Sequence, residues 1–147
     1  MNLSQKCQYA LRGLFELARR GSEQPVPIGE ISRAQAIPGR FLELIFAELK
    51  QAGYVRSRRG VRGGYMLAKD PEDVTVGEII RFVDGPLNPV KCLGSGGRKE
   101  CPLYGDCAFI GLWQRATQAV ADVYDSTTLQ ELVNESRADA AAVNYCI

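Results

Sequence analysis

Apolar residues near the start of the chain recur at Cys7, Ala10, Leu11, Leu14, Leu17 and Ala18, the three-and-four spacing of one helix face. This predicts an amphipathic helix over Leu3 to Arg20, closed near Gly21 with Arg19 and Arg20 in its last turn. Beyond the loop 22–27, IGEISRAQ reads as a short helix broken by AIP. A second apolar set, Phe41, Leu42, Ile45, Phe46 and Leu49, predicts another helix with Pro38 in its first turn. Tyr54 and Val55, then RSRRGVRGG, then Tyr65 to Ala68 form the pattern of a β-hairpin with a glycine-rich tip. Thr75 and Glu78 make a capping box before VGEIIRFVDG, whose Val76, Ile79, Ile80 and Val83 share one side, and Gly85-Pro86 ends the helix.

Periodicity then lapses in a stretch with glycines at 94, 96 and 97. It resumes from Phe109 to Tyr124, where Phe109, Leu112, Trp113, Ala116, Val120 and Val123 repeat with helical spacing. Because the earlier helices already supply a core, this stripe is expected to pack against a second copy of the chain; packing within the chain is the alternative. Thr128 and Glu131 form another capping box, for a short final helix, and the tail ADAAAVNYCI carries no pattern. The expected fold is mostly α with a small β wing. A winged helix-turn-helix domain spans 1–85, a cysteine loop 86–108, a long dimerisation helix and the short final helix 109–137, and a tail 138–147.

Charge changes what the hairpin means. The net charge of +1 is the sum of +7 over residues 1–69 (12 Lys/Arg against 5 Asp/Glu) and −6 over residues 70–147 (6 against 12). A basic N-terminal half suits a polyanion, although a solvated basic face would look the same. The hairpin carries Arg56, Arg58, Arg59 and Arg62 among glycines that let backbone approach a phosphate, and arginine inserts into a narrow minor groove. Two helices joined by a tight turn, with Arg40 and Glu43 early in the second, have the layout of a DNA-binding helix-turn-helix. Helical hairpins that bind nothing share that layout, and the arginine wing beside it decides for DNA. Ser4 and Lys6 lie where the first helix dipole favours an anion such as phosphate; simple capping by Ser4 is the competing reading.

Composition bounds the rest. At 46% hydrophobic and 24% charged over 147 residues, the chain can bury a core of its own. No apolar run reaches the roughly 18 residues that span a bilayer, and the first residues lack a signal peptide's apolar region, so a cytoplasmic location without membrane association is expected. No constellation of base, nucleophile and oxyanion donors points to an enzyme. Five cysteines and no histidine then stand out. In a reducing compartment an odd set of thiols suggests ligands or redox groups rather than a disulfide framework.

Cys92, Cys101 and Cys107 are separated by eight and five residues and lie directly before the long helix. Thiolates hold zinc or iron-sulfur clusters, usually with four donors. The absence of paired Cys-x-x-Cys knuckles favours a cluster, and an incompletely ligated cluster suits sensing. Candidates for the fourth place are Cys7 or Gln8 from a partner subunit, Glu100, Asp106, Cys146 or a small molecule. A thiol-disulfide switch between Cys101 and Cys107, or inert cysteines, are the alternatives.

The chain also resembles the Rrf-two family of bacterial winged-helix regulators across about residues 1–133. The resemblance lies in MNLSQKCQYALRGLFELA, IPGRFLELIFAELKQAGYVRSRRGVRGGYMLA, VTVGEIIRFVDGP and the three-cysteine loop followed by LW. It implies a homodimer joined by the long helix, bound to a double-stranded DNA operator. By position it implies cluster ligation by Cys92, Cys101 and Cys107, base recognition by Arg40 and Glu43, and a minor-groove contact by Arg59. Two departures leave the fourth ligand open: where one branch has a histidine three residues past the third cysteine this chain has Ile110, and where another has an acidic ligand in the first helix it has Gln8. The first two cysteines are also further apart than in those branches. The implied function is a regulator, expected to be a repressor, that senses iron, redox state or nitric oxide through a cluster, [4Fe-4S] favoured over [2Fe-2S]. A cluster-free regulator responding to thiol oxidation or a protein partner is the alternative. An electron-transfer or scaffold protein would have no need of RSRRGVRGG.

Overall fold

The computed structural model describes residues 2–21, 23–94, 101–103 and 105–145. Helix α1, Gln5–Arg20, starts at Ser4, whose hydroxyl accepts the Cys7 N–H at 3.0 Å, and ends at Gly21, whose φ of 83° only glycine adopts cheaply. It turns Ala10, Leu14, Leu17 and Ala18 into the core and packs against α2 (Ile28–Gln35), α3 (Gly39–Gln51) and two later helices. Gly13 sets the α1–α3 distance, because a Cβ there would lie 2.6 Å from the Phe46 ring.

The α2–α3 turn is tight. Ala36 adopts a left-handed conformation, the Ile37 N–H donates to the Ser32 carbonyl at 2.9 Å, and the Ser32 hydroxyl donates to the Ile37 carbonyl at 2.6 Å. Pro38 occupies the N-cap of α3, one residue before the helical turn expected for it. Leu42, Ile45, Phe46 and Leu49 are buried as the periodicity predicts, but Phe41, counted with them, is exposed.

Strands β1 (Val55–Arg58) and β2 (Gly64–Leu67) pair antiparallel in the register Val55 with Leu67 and Arg58 with Gly64. Tyr65 also exchanges two backbone hydrogen bonds of 2.9 Å with Val26, which fastens the hairpin to the segment before α2. The Val26 backbone passes so close that a Cβ at Gly64 would overlap it. Phe46 meets Tyr65 edge-on, with ring centroids 5.0 Å apart.

Helix α4, Val76–Asp84, is followed after the cysteine loop by α5, Ile110–Ser126, and α6, Leu129–Tyr145. A backbone bridge joins the starts of α4 and α6: the Val76 N–H donates to Thr127 at 2.9 Å and the Leu129 N–H to Val74 at 3.0 Å. Leu129 and Val133 enter the same core cluster as α1, α2 and α3. Two expectations are thereby corrected. The final helix is not short, since it runs through most of 138–147 to Tyr145, and the core of residues 1–85 is not complete without it. A second cluster, Cys7, Val76, Ile80 and Leu87, receives Ala121 and Tyr124 of α5 and Leu132 of α6. No residue of α5 is fully buried.

Candidate nucleic-acid interface and cysteine loop

The outward side of α3 carries Arg40, Glu43, Leu44 and Ala47, all exposed. The wing is fastened beside this helix, with the Lys50 ammonium donating to the Ser57 hydroxyl at 2.5 Å. Its tip turns on glycine. Gly60 has φ of 115°, the Gly63 N–H donates to the Gly60 carbonyl at 2.9 Å, and a Cβ at Gly63 would overlap the Arg58 carbonyl. Arg56, Arg58, Arg59 and Arg62 all project into solvent, with Val61 wholly exposed between them. Among the described residues, neither these four guanidiniums nor Arg40 is held in an ion pair. Unneutralised cations on a narrow hairpin beside an open helix face are suited to the phosphates and minor groove of a duplex.

The start of α1 is arranged differently from the anion site expected there. The Ser4 N–H and hydroxyl both donate to the Asp84 carboxylate, at 2.8 and 2.5 Å, so the chain's own anion occupies the positive helix end. Ser4 is a cap that ties α1 to α4, and its reading as a phosphate contact is corrected on this ground. Lys6 pairs with Glu48 of α3 at 2.6 Å, an exposed bond that phosphate can exchange for.

Sequence reasoning missed the carboxylate beneath the interface. Glu16 is fully buried and accepts from Arg19 at 2.9 and 2.8 Å, Arg20 at 2.7 Å and Gln35 of α2 at 2.8 Å. Burial pushes its carboxyl up, but the three donors outweigh burial and hold it below the ordinary glutamate value. A charged residue amid the apolar positions Gly13, Leu14, Leu17 and Ala18 was the available signal.

In the cysteine loop, Cys92 lies in the 3-10 turn Lys91–Leu93, and Cys101 and Cys107 follow; all three are half-buried free thiols. Glu100 and Cys146 lie outside the described residues. Among the described residues no three His, Cys, Asp or Glu side chains come together in a group able to hold a metal. The donor type suits an iron-sulfur cluster, but the described placement does not form a cradle for one. Cys7 drops out as a ligand, because it is fully buried in its own chain's core. Burial, with Asp84 adding to it, pushes its thiol up to about 11, the reverse of what a ligating thiolate needs. Gln8 is exposed and donates to the Leu3 carbonyl at 3.1 Å, and Asp106 is exposed.

A family profile described as an iron-dependent transcriptional regulator, Rrf2, matches residues 3–135. The chain belongs to the Rrf2 family. It is similar to the HTH-type transcriptional regulator CymR of Bacillus subtilis, 35% identical over the whole of both chains. It is also similar to the regulator IscR of Klebsiella pneumoniae, 36% identical over 91% of this chain and 80% of that one. Among solved structures, that of CymR, titled the global cysteine regulator of B. subtilis, superposes with a TM-score of 0.75 at 34% identity, covering 92% of this chain and 98% of CymR. This Rrf2 protein is therefore a DNA-binding transcription regulator with a winged-helix fold, not an enzyme. Among the described residues no helix is long and apolar enough to cross a membrane.

Proposed function

We propose that this Rrf2 protein is a cytoplasmic homodimeric repressor that docks α3 in the major groove of its operator and the wing in the adjoining minor groove. Arg40 and Glu43 meet base edges, Arg59 enters the minor groove, and Arg56, Arg58, Arg62 and Lys6 meet phosphates. The unpaired, exposed wing guanidiniums carry this reading. Phe109, Leu112 and Val123, exposed along α5, support an interface with a second copy.

The cysteine loop is the regulatory element. Three soft thiols, together with the family's iron-dependent description, support an iron-sulfur cluster on Cys92, Cys101 and Cys107, with [4Fe-4S] favoured over [2Fe-2S]. When bound, such a cluster supplies a centre sensitive to iron, oxidants and nitric oxide. The chain's own part is mechanical. The Ile110 N–H donates to the Cys107 carbonyl at 3.3 Å, so a displacement of Cys107 reaches the first turn of α5 directly. A second reading, thiol oxidation or a protein partner without a cluster, is favoured by the absence of a gathered ligand set among the described residues.

The decisive experiment couples DNA binding to iron analysis. Protein purified without oxygen is expected to show visible absorption with stoichiometric iron and sulfide; colourless, iron-free protein even after reconstitution selects the second reading. Operator binding is expected to weaken with salt, and Arg59→Ala to flatten the log-log slope by about 0.9. An unchanged slope and affinity refute the wing assignment.

A further inference from the structure

The buried face of α3 is filled by Leu42, Ile45, Phe46 and Leu49, yet two more large apolar residues remain outside it. Phe41 is 60% exposed and Leu44 66% exposed. Three positions apart, they are neighbours on the helix surface. At about 3.6 residues per turn, Leu44 falls between Arg40 and Ala47, on the side opposite the buried row. A lone exposed leucine requires no explanation. An adjacent pair on the open side of a helix fastened to a cationic wing does, because exposing both costs free energy that a polar pair would not.

Their surroundings restrict what can cover them. Arg40 lies beside Leu44 on the helix, and the unpaired wing arginines are joined to α3 through Lys50 and Ser57. These cations complement a polyanion. The polyanion surface that a helix can enter, the major groove, displays one apolar group, the C5 methyl of thymine.

We infer that Leu44 and Phe41 bury thymine methyl groups and thereby set part of this regulator's sequence specificity. The inference rests on the DNA-binding reading above and adds an apolar component to recognition by Arg40 and Glu43. An A·T pair presents the methyl at a defined place on the groove edge, so the contact distinguishes T·A from A·T and from both G·C orientations. Glu43, which accepts from cytosine, and Arg40, which donates to guanine, then read neighbouring pairs on the same helix face.

The test removes only the methyl. Binding sites are selected from random-sequence duplexes using the intact protein, and each thymine of the best site is then replaced singly by deoxyuridine, which keeps the Watson–Crick edge. One or two replacements are expected to weaken wild-type binding by about fourfold each, the effect of one buried methylene-sized group. In Leu44→Ala and Phe41→Ala the penalty at the matching thymine is expected to vanish, whereas Arg59→Ala retains it. Both positions are exposed and alanine is the best helix former, so these variants fold, as a circular dichroism melt checks. Wild-type indifference to every replacement, or a selected site without thymines under α3, overturns the inference and leaves the DNA-binding reading intact. Failure to retain any duplex at low salt overturns both. A lower oligomer mass of Leu44→Ala without DNA would make this face a contact between copies and also overturn it.

Discussion

Asp125 grips the guanidinium of Arg81 across the α4–α5 contact, with Nη1 donating to Oδ1 at 2.5 Å and Nη2 to Oδ2 at 2.8 Å. Fork-to-fork pairing fixes orientation as well as distance. It joins the helix that closes the DNA-binding core to the C-terminal end of the helix whose exposed stripe is proposed to meet a second copy.

That grip depends on a missing side chain. A Cβ at Gly77 would overlap Oδ1 of Asp125, so Gly77→Ala must swing the carboxylate away from Arg81. Both partners are solvent-exposed, and a double-mutant cycle between Arg81→Ala and Asp125→Ala is expected to give a coupling of at most about 1 kcal/mol. In the Gly77→Ala background the coupling falls to zero, while overall stability changes by no more than about 1 kcal/mol, because alanine's helix preference offsets the lost pair. Urea denaturation of the variant set measures this, and a coupling that survives Gly77→Ala refutes the account.

Leu129 tests whether α6 is part of the DNA-binding core. It is fully buried in the cluster built by α1, α2 and α3. Leu129→Ala is expected to lower unfolding free energy by about 2–5 kcal/mol and to keep a single cooperative transition. Two separate transitions, or a loss within error, would mean that residues 1–85 fold independently.

Acid should loosen the α1–α2 junction through Glu16. Its carboxyl is held below the ordinary value of 4.5, so the charged form favours the fold. This stabilisation is complete above the unfolded value and is lost as pH falls below 4.5 through the folded value. Glu16→Gln is expected to be less stable than wild type at pH 7 by about 1–3 kcal/mol, the loss of charge-assisted hydrogen bonds. The gap should narrow as pH drops below 4.5 in thermal melts. A gap independent of pH would show that Glu16 acts through packing alone.

Thiol labelling separates Cys7 from the loop. The half-buried Cys92, Cys101 and Cys107 are expected to react with a disulfide reagent in native protein at pH 8, while buried Cys7, its thiol pushed up to about 11, reacts only on unfolding. Mass spectrometry of the labelled peptides identifies each site. Fast native labelling of Cys7 would mean that α1 lifts from α4 readily.

Many element types followed from the sequence because periodicity and caps are local. The row Cys7, Ala10, Leu14, Leu17 and Ala18 is buried as its spacing requires, and the hairpin forms around RSRRGVRGG. The Thr128–Glu131 capping box is reciprocal, at 2.9 and 3.1 Å. The Thr75 box is only half made. Thr75 accepts the Glu78 N–H at 3.2 Å, but the Glu78 carboxylate accepts from Tyr54 and Lys69 instead, both at 3.0 Å. Nothing local announces a tyrosine twenty-four residues away.

The stretch 138–147 had a usable signal in its alanines, the strongest helix formers, but lacked the apolar row that marks a buried helix. Among the described part of the cysteine loop, spacing names the thiols without bringing them together, since the approach of distant ligands depends on chain folding rather than on composition. The sequence by itself determined which segments turn inward, where the arginines stand and which family the chain resembles. Only the tertiary structure decided that Asp84 fills the start of α1, that α6 completes the core, that Cys7 is sealed and that Phe41 and Leu44 face out. A helical period fixes the angles between side chains on one element; which of those angles meets protein and which meets solvent depends on the elements that arrive from elsewhere.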